Sequence, residues 1–554
     1  MEDNGDEQQQ QQQSRRKIHV RPFDLGSSHK KGKPLPGNHC NNADDDDNIT
    51  LQLPECKASP AQQQHSVSTR FWSLQSLLTF NIKNVSFYQL PTTLLPTASI
   101  IPKFGHTIAY LENEQGGRHL SPATLEDYRL VGDPVVDTLL EALDTCGQPL
   151  KAGDDIFSLT DHKTLPDDVH SDLKSFFDYY HQTPSWYNSA QIQRGQRVFL
   201  KYTPAITISL YYRSLVAGFS IPKISKVIQS TAYLAPPSTP SDVTIRLMDT
   251  GALLGACFVE DMEVGGAGWK AVLRVRILHA KIRRSLLKRS GKRVWDTATY
   301  GIPINQEDLG ATLLAFSINA LFGVEYLAGI SISNQEMKDY IAVWRYIGWL
   351  LGVLCEGDTM HALRPLDPCG SGWIPSNPDS ITHAKSTLES IILHLLKPDE
   401  SSVLIAHHLL NIGRPQREMK GEMRIGNENT KSQSLASTIK SQNNEPKQSF
   451  FFFFRALVCR QFIGHSLADA LKLPLHPTWT KRTLLAILCF VYLSGFRVYT
   501  WTTMIFSEHF IAFHQRLLKG VHNEWSRLHP GRMARNLNTS SACPFAMVKQ
   551  PIKE

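Results

Sequence analysis

The chain has 554 residues, is 42% hydrophobic and 20% charged, and carries a formal net charge of +7. That length and composition can sustain a large packed core, and so small a charge does not single out a nucleic-acid partner. The nine cysteines form no CxxC pair, which argues against a disulfide framework and a structural zinc site and favours reduced thiols in a cytosol-facing catalytic part.

Residues 1–70, with the runs Gln8–Gln13 and Asp44–Asp47, read as a disordered polar tail. The opening MEDNGDEQQQ is neither a signal nor a transit peptide. Residues 71–124 turn aromatic and are broken by Pro91, Pro96 and Pro102. They are expected to form one or two short helices docked on the main body or on a membrane surface.

The folded body is expected from about Asp127. Asp133 and Pro134 open a helix over 135–143. Helices are predicted over 172–180, 189–200, 206–217 and 222–233. The linker APPSTPSD (235–242) stops the chain, with Ser241 or Asp242 as N-cap of a helix over 243–258. Gly265, Gly266 and Gly268 precede a helix over 272–288. Asn305 or its neighbours cap a helix over 307–322, another spans 334–353, and helices continue to about Ile412. Residues 413–449 form a low-complexity insertion, 450–530 the C-terminal helical part of the same domain, and 531–554 a basic tail. Long 3.6-residue periodicity makes the body all-α. The apolar stretch 484–496 has 13 residues between Lys481, Arg482 and Arg497. It reads first as a core or membrane-surface helix, and could span a bilayer only with Arg497 embedded.

No P-loop, GxSxG elbow or HExxH is present, and GGAG at 265–268 is not a dinucleotide fingerprint. His407 and His408 read as a solvated or core pair, and Asp358 and Asp367 as turn residues beside Pro365. Two helices are more informative. On the helix over 272–288, His279 shares an apolar face with Val272, Val275, Ile282 and Leu286, flanked by Arg276 and Arg283. A satisfied core histidine and a haem or metal ligand both fit this pattern. On the helix over 243–258, Arg246 and Thr250 share a face four residues apart. They suit either an inter-helix hydrogen bond or a cofactor pocket also lined by the His279 helix.

Six segments together carry a resemblance: RLMDT (246–250), RVRILHAKIR (274–283), YGIPINQEDLGATLLAFSINAL (300–321), VWRYIGWLLGV (343–353) and, upstream, GDPVVDTLLEAL (132–143) and WYNSAQIQRGQRVF (186–199). The chain resembles the latex clearing protein (rubber oxygenase) superfamily, and within it the fungal ER-bound oxygenases of mycophenolic acid biosynthesis. The likeness covers about 125–412 and resumes over about 455–530. It implies a large helical domain with a globin-related core binding haem b, with its iron on His279 and with Arg246 and Thr250 beside the haem. It also implies O2-dependent oxidative cleavage of a carbon–carbon double bond in a lipophilic, isoprenoid-like substrate. Rubber oxygenases carry a lysine immediately before the threonine; this chain has Asp249, which suits an acid/base or polar role and equally an exposed helix position or an arginine partner. Spacing alone adds Arg276 and Arg283 as candidate partners of haem propionates. The second ring nitrogen of a ligating His279 is expected to donate to a carbonyl or carboxylate. The expected partners are a lipophilic small molecule and O2, with no nucleic acid and with a membrane surface, that of the ER included, as a candidate contact. Such chemistry belongs to secondary metabolism. The alternative is a non-catalytic, membrane-associated helical protein on a degenerate oxygenase scaffold.

Overall fold

The computed structural model describes residues 92–112, 118–150, 154–161, 165–291, 294–353, 380–412 and 449–528. The expected tail 1–70, insertion 413–449, basic tail and Asp358/Asp367 turn lie outside the described residues, apart from Ser449.

Residues 71–91 of the expected docking segment lie outside the described residues; from 92 on, a short 3-10 turn, Leu95–Thr97, leads into a β-hairpin. Strand β1 (Ser99–Lys103) pairs antiparallel with β2 (His106–Tyr110). The two-residue turn is Phe104–Gly105, both at positive φ (44° and 83°), the handedness that matches strand twist. Beyond the hairpin, His119 is fully buried, with its Nε2 2.9 Å from Glu389 Oε2.

The rest is helical. Helix α1 (Pro122–Arg129) starts before the expected onset of the body, capped by Ser121. Then follow α2 (Pro134–Thr145), α3 (Asp167–His181) and α4 (Ser189–Ser209), with Asp133 capping α2 as its sequence predicts. The two helices expected over 189–217 are one path. It bends at Tyr202 (φ −105°, ψ 15°), two residues before Pro204, and runs on into a π-helical turn, Leu210–Val216. Proline explains the bend, because Pro204 has no N–H for the carbonyl of Leu200. That carbonyl lies 2.6 Å from Nδ1 of His514 instead.

Helices α5 (Pro222–Thr231), α6 (Pro240–Val259) and α7 (Ala267–Leu287) come next. The cap of α6 is Thr239, in a reciprocal capping box with Asp242. The helix expected over 307–322 is two, α8 (Gln306–Phe316, capped by Asn305) and α9 (Ile318–Ala328), parted at Ser317. Helices α10 (Asn334–Leu350), α11 (Ser380–Leu395), α12 (Glu400–Leu410), α13 (Phe450–Ile463), α14 (Trp479–Ile505) and α15 (Ser507–Leu528) follow, with short helical turns at Thr297–Tyr300 and His465–Ala470.

Helix α4 runs through the centre, packed on α6, α9, α10, α14 and α15. Gly195 permits the close approach of α10, since a Cβ there would collide with the Asp339 carbonyl. One continuous apolar core joins residues from Leu120 to Ile511. The four described cysteines, Cys146, Cys257, Cys459 and Cys489, are free thiols.

Two stretches are long and apolar enough to cross a membrane, by length and composition: Gln306–Ala328, 61% buried over its apolar window, and Trp479–Ile505, 28% buried. The first is core. The second is buried along one face only, through Leu485, Cys489, Leu493, Arg497 and Trp501.

Candidate functional site

The site is built on α7, and α7 is held by buried charge. Arg276 Nε and Nη2 donate to Asp133 Oδ2 and Oδ1 at 2.6 and 2.9 Å, with both side chains almost wholly buried. Burial opposes ionisation of Asp133, but the Arg276 charge and its hydrogen bonds outweigh it and hold the carboxyl below its ordinary range. Two turns on, Arg283 donates from Nε to Asp137 Oδ2 at 2.7 Å and from Nη1 to the Ile304 carbonyl at 2.7 Å. Arg284 and Lys288 reach Asp144 at 2.7 and 2.8 Å. Helix α2 thus grips α7 through three carboxylates spread over three turns.

The PINQED segment continues this network. Gln306 Nε2 donates to the carbonyls of Gly132 (2.7 Å) and Gly352 (3.0 Å). Arg129 bridges Glu307 and Asp308. Both acids are buried, and burial raises their pKa despite Arg129; the Asp308 charge adds to the rise at Glu307, which is pushed up to about 8. The sequence marked this segment by resemblance alone. A run of four polar residues carries no amphipathic signal that it is interior, yet Asn305, Gln306, Glu307 and Asp308 are all buried.

His279 projects from the same helix in a different setting. Val272, Arg276, Ile277, Ala280 and Arg283 are buried, while Val275, His279 and Ile282 are half-covered. The Nδ1 of His279 is enclosed and has no hydrogen-bond partner among the described residues. Burial, reinforced by the nearby Arg283 charge, lowers its pKa to about 4. The ring is therefore neutral at physiological pH, the form that ligates metals.

Helix α6 packs against α7, so the two helices singled out in the sequence are neighbours. Their polar residues, however, are directed to separate tasks. Arg246 is buried and donates through Nη1 to the carbonyls of Ala232 and Tyr233, closing the C-terminus of α5, with its guanidinium 4.9 Å from the Tyr233 ring centre. Thr250 Oγ1 donates back to the Arg246 carbonyl at 3.1 Å. Asp249 and Thr250 are half-buried, as are Leu247 and Leu254. Arg276 and Arg283, considered as propionate partners, are both engaged by carboxylates of α2 and its cap. His407 and His408 split as adjacent helical residues must: His407 Nε2 lies 3.0 Å from the Lys472 carbonyl, and His408 Nε2 lies 3.2 Å from Ser238 Oγ. Among the described residues no three His, Cys, Asp or Glu side chains group as a metal site. A single-histidine attachment does not require such a group.

Residues 230–501 match the profile of the ER-bound oxygenase mpaB/B'/Rubber oxygenase catalytic domain. Through this segment the chain belongs to that superfamily. It is similar to the rubber oxygenase of Streptomyces sp. (strain K30), 23% identical over 238 residues, which are 42% of this chain and 52% of that protein. It is also similar to cytochrome P450 703A2 of Oryza sativa subsp. japonica, 30% identical over 116 residues, 19% of this chain and 22% of that one. The chain thus matches about half the length of the first relative and less than a quarter of the second. Among solved structures it is similar to the latex clearing protein LCP in the closed state, with a TM-score of 0.42 and 16% identity over 77% of this chain and 96% of that one.

Proposed function

We propose that the chain is a haem-dependent oxygenase that uses O2 to cleave a carbon–carbon double bond in a lipophilic, isoprenoid-like substrate. The observation that carries this reading is His279: a neutral imidazole on a half-covered apolar strip, with an enclosed nitrogen that nothing described engages. A buried polar atom left unmatched costs about 1–3 kcal/mol, a cost that a group bound at that nitrogen would remove. The residues present fit haem b. His279 supplies the iron ligand, and the half-buried Val275, Ile282, Leu247 and Leu254 supply apolar cover. When bound, the haem supplies the iron that activates O2. Thr250 and Asp249 are the polar side chains of α6 that would meet the reacting groups. Arg246, Arg276 and Arg283 hold helix ends and ion pairs, so their contribution is to fix α6 and α7.

A bilayer surface fits the same reading, because lipophilic substrates partition there. Helix α14 turns Leu484, Ile487, Leu488 and Val491 outward, next to exposed Trp479, Lys481 and Arg482. Aromatic and basic residues at the end of an apolar face are what interfacial helices present.

The test is the visible spectrum of the purified full chain. A Soret band and a pyridine haemochrome are expected, and His279→Ala should lose both while keeping its far-UV helix signal. Incubation with a farnesylated alkene under O2 should then yield carbonyl products. A well-folded, colourless wild type that takes up no added haemin would overturn the reading in favour of a non-catalytic helical scaffold.

A further inference from the structure

A cavity of about 180 Å³ lies apart from the His279 helix. It is walled by the π-helical turn after α4, the start of α5, and parts of α8, α9, α11 and α13, with His106 of β2 among its lining residues. None of Arg246, Asp249, Thr250, Arg276, His279 or Arg283 lines it. Its walls are mainly apolar, Ile224, Ala315, Phe316, Leu388 and Ile392 among them.

Arg213 breaks that apolar wall. Its Nε donates to Asn319 Oδ1 at 2.8 Å and its Nη1 to the Phe462 carbonyl at 2.9 Å. Those two bonds fix the plane of the guanidinium from opposite helices. The side chain sits in the π-turn, a distortion concentrated at functional sites. The described lining residues include this one guanidinium and no Asp or Glu. Burial lowers the Arg213 pKa to about 10, and the neighbouring His106 is driven down to about 4 by burial and by the Arg213 charge. At neutral pH the cavity therefore carries the arginine charge beside a neutral imidazole.

We propose that this cavity binds a small apolar monocarboxylate, whose hydrocarbon part fills the apolar walls and whose carboxylate meets Arg213. The volume sets the size, since an apolar cavity of about 150 Å³ takes a benzene ring. The planar fork sets the head group, because a guanidinium matches a carboxylate in shape and in single charge. The inference does not depend on the haem reading.

The test is calorimetric titration of the full chain with benzoate and with its neutral counterpart, benzyl alcohol. Benzoate is expected to bind saturably with a Kd below about 1 mM, at least about tenfold more tightly than the alcohol. Arg213→Gln should bring benzoate down to the level of the alcohol. Ala315→Phe, which fills the cavity and leaves Arg213 in place, should abolish both. His279→Ala should change neither. Equal affinities for acid and alcohol in the wild type, no benzoate binding, or undiminished benzoate binding in a folded Ala315→Phe variant would each overturn the proposal. If Arg213→Gln does not fold, the wild-type comparison and Ala315→Phe decide it.

Discussion

Arg276 and Asp133 meet through two nearly parallel hydrogen bonds, 2.6 and 2.9 Å long, three residues before His279 on the same helix. Both partners are buried, so removing one strands the other. Arg276→Ala is expected to destabilise the protein by about 3–5 kcal/mol. Asp133→Asn should cost less, because the amide oxygen still accepts from Arg276 and still caps α2. Urea unfolding of the two variants and the double mutant measures this. Additive losses would mean that the pair is not coupled.

Gly352 lies over that pair at φ +81°, where a Cβ would come within 2.6 Å of Arg276 Nε and 2.7 Å of Asp133 Oδ2. Gly352→Ala combines a strained backbone with a displaced ion pair. It should cost about 2 kcal/mol or more, seen as a lower Tm. An unchanged Tm would place the Arg276 side chain elsewhere.

Acid should act through His279. Its folded pKa, near 4, lies below the ordinary 6.5. As pH falls from 6.5 to 4 the unfolded chain takes up a proton that the folded one refuses, so stability drops across that window. Other buried histidines, His106 among them, contribute in the same direction. The informative quantity is therefore a difference. In haem-free protein, His279→Gln should lower the slope of unfolding free energy against pH by up to about one proton between pH 4 and 6.5. Identical slopes would show that the ring protonates freely in the folded state.

Alkali should act through Glu307. Its folded pKa, about 8, lies above the ordinary 4.5. Between those values the folded state keeps a proton that the unfolded state has released, so stability falls as pH rises from 4.5 to 8. Glu307→Gln keeps an oxygen for Arg129 and removes the titration. Its urea midpoint should fall less than the wild type's between pH 5 and 9. Parallel midpoints would mean that Glu307 is already ionised at pH 5.

How much of this was legible beforehand varies with the kind of signal. The all-α class and most helices were readable from 3.6-residue periodicity, and the Asp133 and Asn305 caps from local chemistry. The hairpin was not, because its turn is Phe104–Gly105 rather than a common turn pair and Pro102 lies within β1. At the site, the sequence placed His279 on an apolar face and α6 beside α7. The partners of the arginines were out of reach: Asp133 is 143 positions from Arg276, and Ala232 is 14 from Arg246. A helical wheel shows which way a guanidinium points and not which distant carboxylate or carbonyl arrives there.

Arg497 interrupts the long apolar helix α14, yet it is buried, with Nε 2.6 Å from the Leu327 carbonyl and Nη2 3.2 Å from that of Tyr326. Trp501 adds a bond from Nε1 to the Ala328 carbonyl at 2.8 Å. The open C-terminus of α9 is thereby closed by side chains of α14. A residue that looks like an obstacle to membrane insertion acts instead as a fastener, and it removes the rotational freedom of α14 about its own axis. On a bilayer the outward face of α14 would then set the tilt and roll of the whole body. Helices α6 and α7 would then meet the lipid in one fixed orientation, set by an arginine in the interior of the body.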